Sequence, residues 1–116
     1  MKFELTKEFI SDLSDAIASG NNTFIANSLA DLHPADISEL LEELDFDDAK
    51  IIYGYLEEEV ASGVLTELDE DTREVFLASL SAKEIAESLD NMESDDATDV
   101  IQDLPEHRKE KVISQL

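Results

Sequence analysis

Residues 32–44 read LHPADISELLEEL, and this segment contains the pattern that the rest of the chain repeats. Its apolar residues follow Leu32 by 5, 8, 9 and 12 positions, as Ile37, Leu40, Leu41 and Leu44. These intervals place them on one face of an α-helix. The segment therefore predicts a helix of roughly nine residues that buries one of its sides.

Leucine recurs at every twelfth position from there to the end of the sequence, with methionine at one step. The positions are Leu32, Leu44, Leu56, Leu68, Leu80, Met92, Leu104 and Leu116. In one continuous helix twelve residues turn through about 1200°, so successive leucines would lie roughly 120° apart and form no stripe. The period predicts instead a short helix and a turn in every twelve residues. A 48-residue repeat overlies it, because residues 32–56 share eight identities in 25 positions with residues 80–104.

Helices this short cannot bury a face alone, so they must stack on neighbouring helices. We therefore predict an all-α fold, a superhelical solenoid of short helices related to armadillo and HEAT arrays. Residues 1–116 are predicted to form one domain, in which residues 32–116 carry the repeats.

Residues 1–31 lie outside the twelve-residue register and are predicted to form a two-helix cap. A first helix over residues 3–18 should end at Gly20, and a second over residues 23–31 should turn Phe24, Ile25 and Leu29 inward. No polar capping unit follows the last repeat leucine, so we expect the sequence to be a fragment of a longer chain.

Several residues are candidates for the first position of a helix. Ser81, followed three residues later by Glu84, predicts a capping box. Asp45, Asp69 and Ser94 are expected to cap the helices that they precede.

The second strong feature is charge, because 30 acidic residues oppose eight basic ones for a net charge of −22. Such a surface repels nucleic acid and anionic lipid, which bind clustered cations. It attracts basic partners or divalent cations. The sequence has no cysteine, which excludes disulfides and thiolate metal sites. It also has no apolar run long enough to cross a bilayer.

No catalytic motif stands out, so we do not expect an enzyme. The two histidines follow separate patterns: His33 precedes a proline at a predicted helix start, and His107 lies in a basic segment. Neither histidine forms a pair with metal-ligand spacing.

The densest group of acids is Glu93, Asp95, Asp96 and Asp99. Asp95 and Asp96 have counterparts 48 residues earlier, at Asp47 and Asp48, which is typical of acids in a first helical turn. The acid at position 99 is different, because its counterparts in other repeats are Ile51, Val75 and Glu87. Asp95 and Asp99 are four residues apart and share one helical face. We predict that this pair is a metal site, although Mg²⁺ binds few carboxylates and imposes little spacing.

These segments resemble the amino-terminal cytosolic domain of the MgtE magnesium transporter family. The resemblance lies in residues 32–37 and 40–44, in Ala61-Ser62-Gly63-Val64-Leu65, in Asp95-Asp96-Ala97-Thr98-Asp99 and in Leu104-Pro105. It implies a right-handed superhelix followed by CBS domains, a connecting helix and a transmembrane pore. It also implies a homodimeric full-length protein, with this soluble part on the cytoplasmic side of the cell membrane.

The same resemblance implies a function. Mg²⁺ would bridge acidic residues of this domain and the CBS domains and hold the pore closed, and loss of Mg²⁺ would release the domain. Two family metal-site acids match Asp95 and Asp99, whereas a third falls on Gly63. Binding of Mg²⁺ should be weak in the isolated chain, since each site is shared with the missing CBS domains.

A second resemblance favours a protein-interaction module. The middle region of the flagellar rotor switch protein has a similar His-Pro start and similar short helices, but this sequence lacks its glutamine after the His-Pro pair and is far more acidic. We therefore prefer the resemblance to the magnesium transporter family. The rotor switch protein is the second alternative, and an unrelated adaptor solenoid is the third.

Overall fold

The computed structural model describes residues 4–116, and these residues form helices without any strand. The helices of this range are α1 (Lys7–Ser19), α2 (Asn22–Ala30), α3 (Pro34–Glu43), α4 (Phe46–Gly54), α5 (Glu58–Glu67), α6 (Glu70–Ser79), α7 (Ala82–Asp90), α8 (Ser94–Asp103) and α9 (Glu106–Gln115). The predicted all-α class is confirmed. None of the helices in the described range is long and apolar enough to cross a membrane.

Helices α3 to α9 begin at intervals of twelve residues, from Pro34 to Glu106. Each is nine or ten residues long. The repeat leucines end helices instead of lying within them, and Leu44, Leu68, Leu80 and Leu104 are C-cap residues. The superhelical winding of the helices stays a prediction.

The chain divides into two compact units, the first ending at Leu56 and the second beginning at Glu57. In the first unit α1 packs against α2 and α4, and α3 packs against α4. In the second unit α7 packs against α5, α8 and α9, so it lies at the centre of that unit.

The position eight residues after each repeat leucine is buried in every repeat. These residues are Leu40, Ile52, Val64, Phe76, Ser88, Val100 and Val112. A fully buried aliphatic or aromatic side chain stabilises the fold by about 1.5–3 kcal/mol. The one polar member, Ser88, accepts a buried hydrogen bond of 2.8 Å at its carbonyl oxygen from the hydroxyl of Ser62.

Two arginines donate hydrogen bonds to carbonyl groups at helix ends, where helices leave acceptors incompletely satisfied. The guanidinium of Arg73 donates hydrogen bonds to the carbonyl oxygens of Leu65, Thr66 and Leu68, at the end of α5. The guanidinium of Arg108 donates to the carbonyl oxygens of Leu77 and Leu80, at the end of α6. The few basic side chains of this acidic protein are thus partly used to complete its helices.

The predicted cap helices are present with shifted boundaries. Helix α1 covers most of the predicted range 3–18, although residue 3 lies outside the described residues. It ends at Gly20, which adopts a left-handed conformation with φ 72°. Helix α2 begins one residue earlier than predicted. Phe24 was expected to face inward, and this prediction is wrong because the side chain is 38% exposed. Ile25 and Leu29 lie on the inward face of α2. Phe24 directly precedes Ile25, so its side chain is rotated by about 100° around the helix and away from that face.

The capping predictions are mostly confirmed. The hydroxyl of Ser81 accepts from the amide of Glu84 at 3.1 Å, and the carboxylate of Glu84 accepts from the amide of Ser81 at 3.0 Å. Asp45 and Asp69 are N-cap residues, but only Asp69 accepts a capping hydrogen bond with its side chain, from the amide of Thr72, whereas Asp45 forms none. The prediction for Ser94 is wrong, because the extended N-cap residue is Glu93 and the serine is the first residue of α8.

Candidate metal-binding surface on α8

Helix α8 begins with acidic residues that its own dipole stabilises. Asp95 and Asp96 lie in the first turn, where the partial positive charge of the helix N-terminus favours carboxylates by about 0.3–1 kcal/mol each. Asp95 is exposed and Asp96 is half-buried. The fold therefore accounts for an acid at either position without any ligand.

A line of carboxylates follows one face of α8, because Asp95, Asp99 and Asp103 are each four residues apart. We call these three residues the acidic stripe. Asp95 and Asp99 are exposed, and neither carboxylate has a hydrogen-bond or salt-bridge partner among residues 4–116. Asp103 differs, since its Oδ2 lies 3.6 Å from Nη1 of Arg73. The stripe thus has a cation at one end and none between its two exposed members.

The sequence did not identify Asp103 as a member of this surface. Its partner is thirty residues earlier in the chain, and that separation follows no local spacing rule. The sequence nevertheless contains one indication of a buried ion pair. Arg73 is a charged residue at the repeat position where Ile37, Ala49 and Ile85 are apolar.

The position of Asp99 within the repeat is exposed in some of the other repeats and half-buried in the rest. Its counterpart Ile51 is 44% exposed and its counterpart Val75 is 50% exposed, whereas Glu87 and Gly63 are half-buried. A large apolar residue at this position is tolerated by the fold, so the fold does not require an acid there. The carboxylate of Asp99 is therefore available for binding.

This surface supplies only some of the ligands that a metal ion needs. Within residues 4–116 no three Asp, Glu, His or Cys side chains lie together in a way that could hold a metal ion. Four residues rise about 6 Å along a helix, so the two exposed carboxylates of the stripe can approach one ion. Mg²⁺ commonly takes one or two carboxylates and keeps several waters. The donor set fits half of a magnesium site.

The two histidines do not contribute to this surface. His33 is the exposed N-cap residue of α3, and its backbone amide donates a hydrogen bond of 3.2 Å to the carboxylate of Asp36. This confirms its predicted place at a helix start. His107 is an exposed residue of α9.

One known protein family matches the part of the chain that carries the twelve-residue repeat. The family model of the MgtE intracellular N domain matches residues 32–116, from the first repeat leucine to the last. The chain belongs to this family. The match decides between the two resemblances in favour of MgtE, and residues 1–31 lie outside the part of the chain that the family model covers.

A solved structure shares the fold of this MgtE N domain. It is described as the crystal structure of the soluble part of a magnesium transporter, and it superposes with a TM-score of 0.81 at 22% sequence identity. The superposition covers 95% of this chain and 44% of the other, so the chain spans less than half the length of that structure. No curated protein sequence matches the chain.

Proposed function

We propose that this chain is the regulatory domain of a magnesium transporter and that it senses Mg²⁺ through Asp95 and Asp99. Membership of the MgtE intracellular N domain family and the fold shared with the soluble part of a magnesium transporter support this proposal. The observation that carries it is the exposed carboxylate of Asp99, at a repeat position where the fold accepts isoleucine and valine. The family relationship also supports a role without catalysis.

The site is completed by a second surface. Two carboxylates of α8 supply part of a coordination shell, and CBS domains of the same full-length chain supply the remaining protein ligands. When bound, Mg²⁺ contributes positive charge between two acidic surfaces. Asp95 and Asp99 orient their oxygens towards that interface, and the isolated chain alone binds the ion weakly because half of the ligands are absent.

Electrostatic repulsion provides the opening force. The chain carries a net charge of −22, and acidic surfaces that face each other without counter-ions repel. A bridging cation removes that repulsion and favours the docked arrangement, in which the pore is closed. When cytosolic Mg²⁺ falls, the domain separates from the CBS domains and the pore can open. In this account the full-length protein is a homodimer, and the domain lies on the cytoplasmic side of the membrane.

Protection from protease tests the proposed ligands in the full cytosolic region of the transporter. Millimolar Mg²⁺ should slow digestion of the unsubstituted protein, and Asp95→Asn with Asp99→Asn should abolish most of that protection. Asp47→Asn with Asp71→Asn is the matched control, because it removes two exposed first-turn acids and the same charge. Equal protection of the α8 variant and the unsubstituted protein would show that these carboxylates are not ligands.

A further inference from the structure

A groove of about 370 Å³ lies between α1 and α2. The turn that joins the two helices is tightly fixed. Gly20 adopts φ 72°, and the amide of Asn21 donates a hydrogen bond of 2.9 Å to the carbonyl oxygen of Ala16. The groove is thus formed by the fold of the helix pair. Its walls are Asp12, Asp15, Ala16, Ser19, Asn21 and Phe24.

The polar groups of the groove divide into occupied and available ones. The hydroxyl of Ser19 donates to the carbonyl oxygen of Ala16, and the side-chain oxygen of Asn21 accepts from the amide of Phe24. The carboxylates of Asp12 and Asp15 have no hydrogen-bond or salt-bridge partner among residues 4–116. They are three residues apart on α1 and therefore neighbours. Among residues 4–116 no lysine or arginine lines the groove, so its available charged groups are anionic acceptors.

The remaining wall is aromatic. Phe24 is the third residue of α2 and leaves 38% of its surface exposed. An arginine guanidinium stacks on an aromatic ring and forms paired hydrogen bonds with a carboxylate, whereas a lysine ammonium is a compact, strongly hydrated charge. The combination of one aromatic face and two adjacent carboxylates matches the guanidinium group more closely.

We propose that this groove binds an arginine side chain, flanked by apolar residues, of a partner polypeptide. The net charge of −22 attracts basic segments towards the whole molecule, and the groove selects one chemistry among them. All six wall residues precede residue 32, where the family match begins. The proposal is therefore independent of the magnesium account and of any residue of α8.

Peptide binding measured by nuclear magnetic resonance tests this assignment with the chain as it stands. The probe is a short amidated peptide in which one arginine stands between leucines, and a second peptide replaces that arginine by citrulline. The arginine peptide should shift the amide signals of Asp12, Asp15 and Phe24 first. Citrulline keeps the shape and removes the charge, so the second peptide should bind about tenfold more weakly.

Two variants separate the groove from the general charge. Asp12→Asn with Asp15→Asn should weaken binding about tenfold, and Phe24→Ser should weaken it several-fold. The matched control is Glu39→Gln with Glu43→Gln, which removes two exposed carboxylates from α3 and should leave the affinity within twofold. Circular dichroism melting curves verify that the variants fold.

Three results would overturn the proposal. The first is the absence of peptide binding at millimolar peptide. The second is an equal loss of affinity in the groove variant and the control variant, which would show unselective attraction by charge. The third is a set of shifted amide signals that excludes the groove residues.

Discussion

Arg73 joins two helices of the second unit through one side chain, because its guanidinium lies 3.6 Å from the carboxylate of Asp103 in α8 while it completes the end of α5. Both side chains are mostly buried, with 16% and 23% of their surfaces exposed. The link places the last member of the acidic stripe in the framework of the fold. The first two members remain available for ligands.

Replacing Arg73 by methionine should lower the free energy of unfolding by about 2–4 kcal/mol, because three carbonyl groups at the end of α5 lose their donor. Urea unfolding followed by circular dichroism measures this loss. Asp103→Asn is the control, and it should cost about 1 kcal/mol or less, since the carbonyl hydrogen bonds of the arginine persist. Equal losses in both variants would mean that the ion pair and not the carbonyl contacts provides the stability.

Truncating the buried side chain that lies eight residues after a repeat leucine should strongly lower the free energy of unfolding. Phe76→Ala removes a side chain that is 1% exposed and should lower the free energy of unfolding by about 3–5 kcal/mol. Val75→Ala changes the neighbouring residue, which is 50% exposed, and should cost about 0.5 kcal/mol or less. Chemical unfolding of the two variants compares them directly, and similar losses would contradict the assignment of the buried face.

The two glycines at the ends of α1 and α4 should respond to alanine in opposite directions. Gly20→Ala should destabilise the protein by about 1 kcal/mol, because φ 72° strains any residue with a β-carbon. Gly54→Ala should stabilise it by about 0.5–1 kcal/mol, since the added carbon meets no atom within 4 Å and alanine favours a helix. Thermal melting distinguishes the two, and stabilisation by Gly20→Ala would be inconsistent with the left-handed turn.

Replacement of Ser81 and replacement of Ser94 by alanine should lower the free energy of unfolding by different amounts, although both serines lie at the start of a helix. Ser81→Ala removes the acceptor for the amide of Glu84 and should cost about 1 kcal/mol. Ser94→Ala should cost less than about 0.5 kcal/mol, because this serine is not the N-cap residue. A larger loss at Ser94 in urea unfolding would refute the cap assignment.

The periodicity predicted the helices well because it is a local property. A helix of nine or ten residues and its buried side both follow from intervals of 5, 8 and 9 positions, and the capping box at Ser81 needs only neighbours in sequence. The orientation of Phe24 was wrong because Phe24 and Ile25 are consecutive, and side chains about 100° apart on a helix cannot both point to the centre of its buried face. The contact between Arg73 and Asp103 could not be predicted, since it depends on how helices distant in sequence pack.

The candidate site was predictable only in part. The repeat indicated that Asp99 is an acid that the fold does not require, and exposed counterparts at Ile51 and Val75 agree with that interpretation. In the proposed account the ligands that complete the site belong to a second surface, about which this sequence carries no pattern. The metal assignment of Asp95 and Asp99 therefore stays a prediction.

The most direct measurement is the current through the full-length transporter as cytosolic Mg²⁺ is varied. The account predicts that Asp95→Asn with Asp99→Asn raises the Mg²⁺ concentration for half-closure by about tenfold, because each lost carboxylate weakens the bridge that holds the pore closed. Asp47→Asn with Asp71→Asn should leave that concentration within about twofold. An unchanged closing concentration in the α8 variant would contradict the central claim that these two carboxylates sense Mg²⁺.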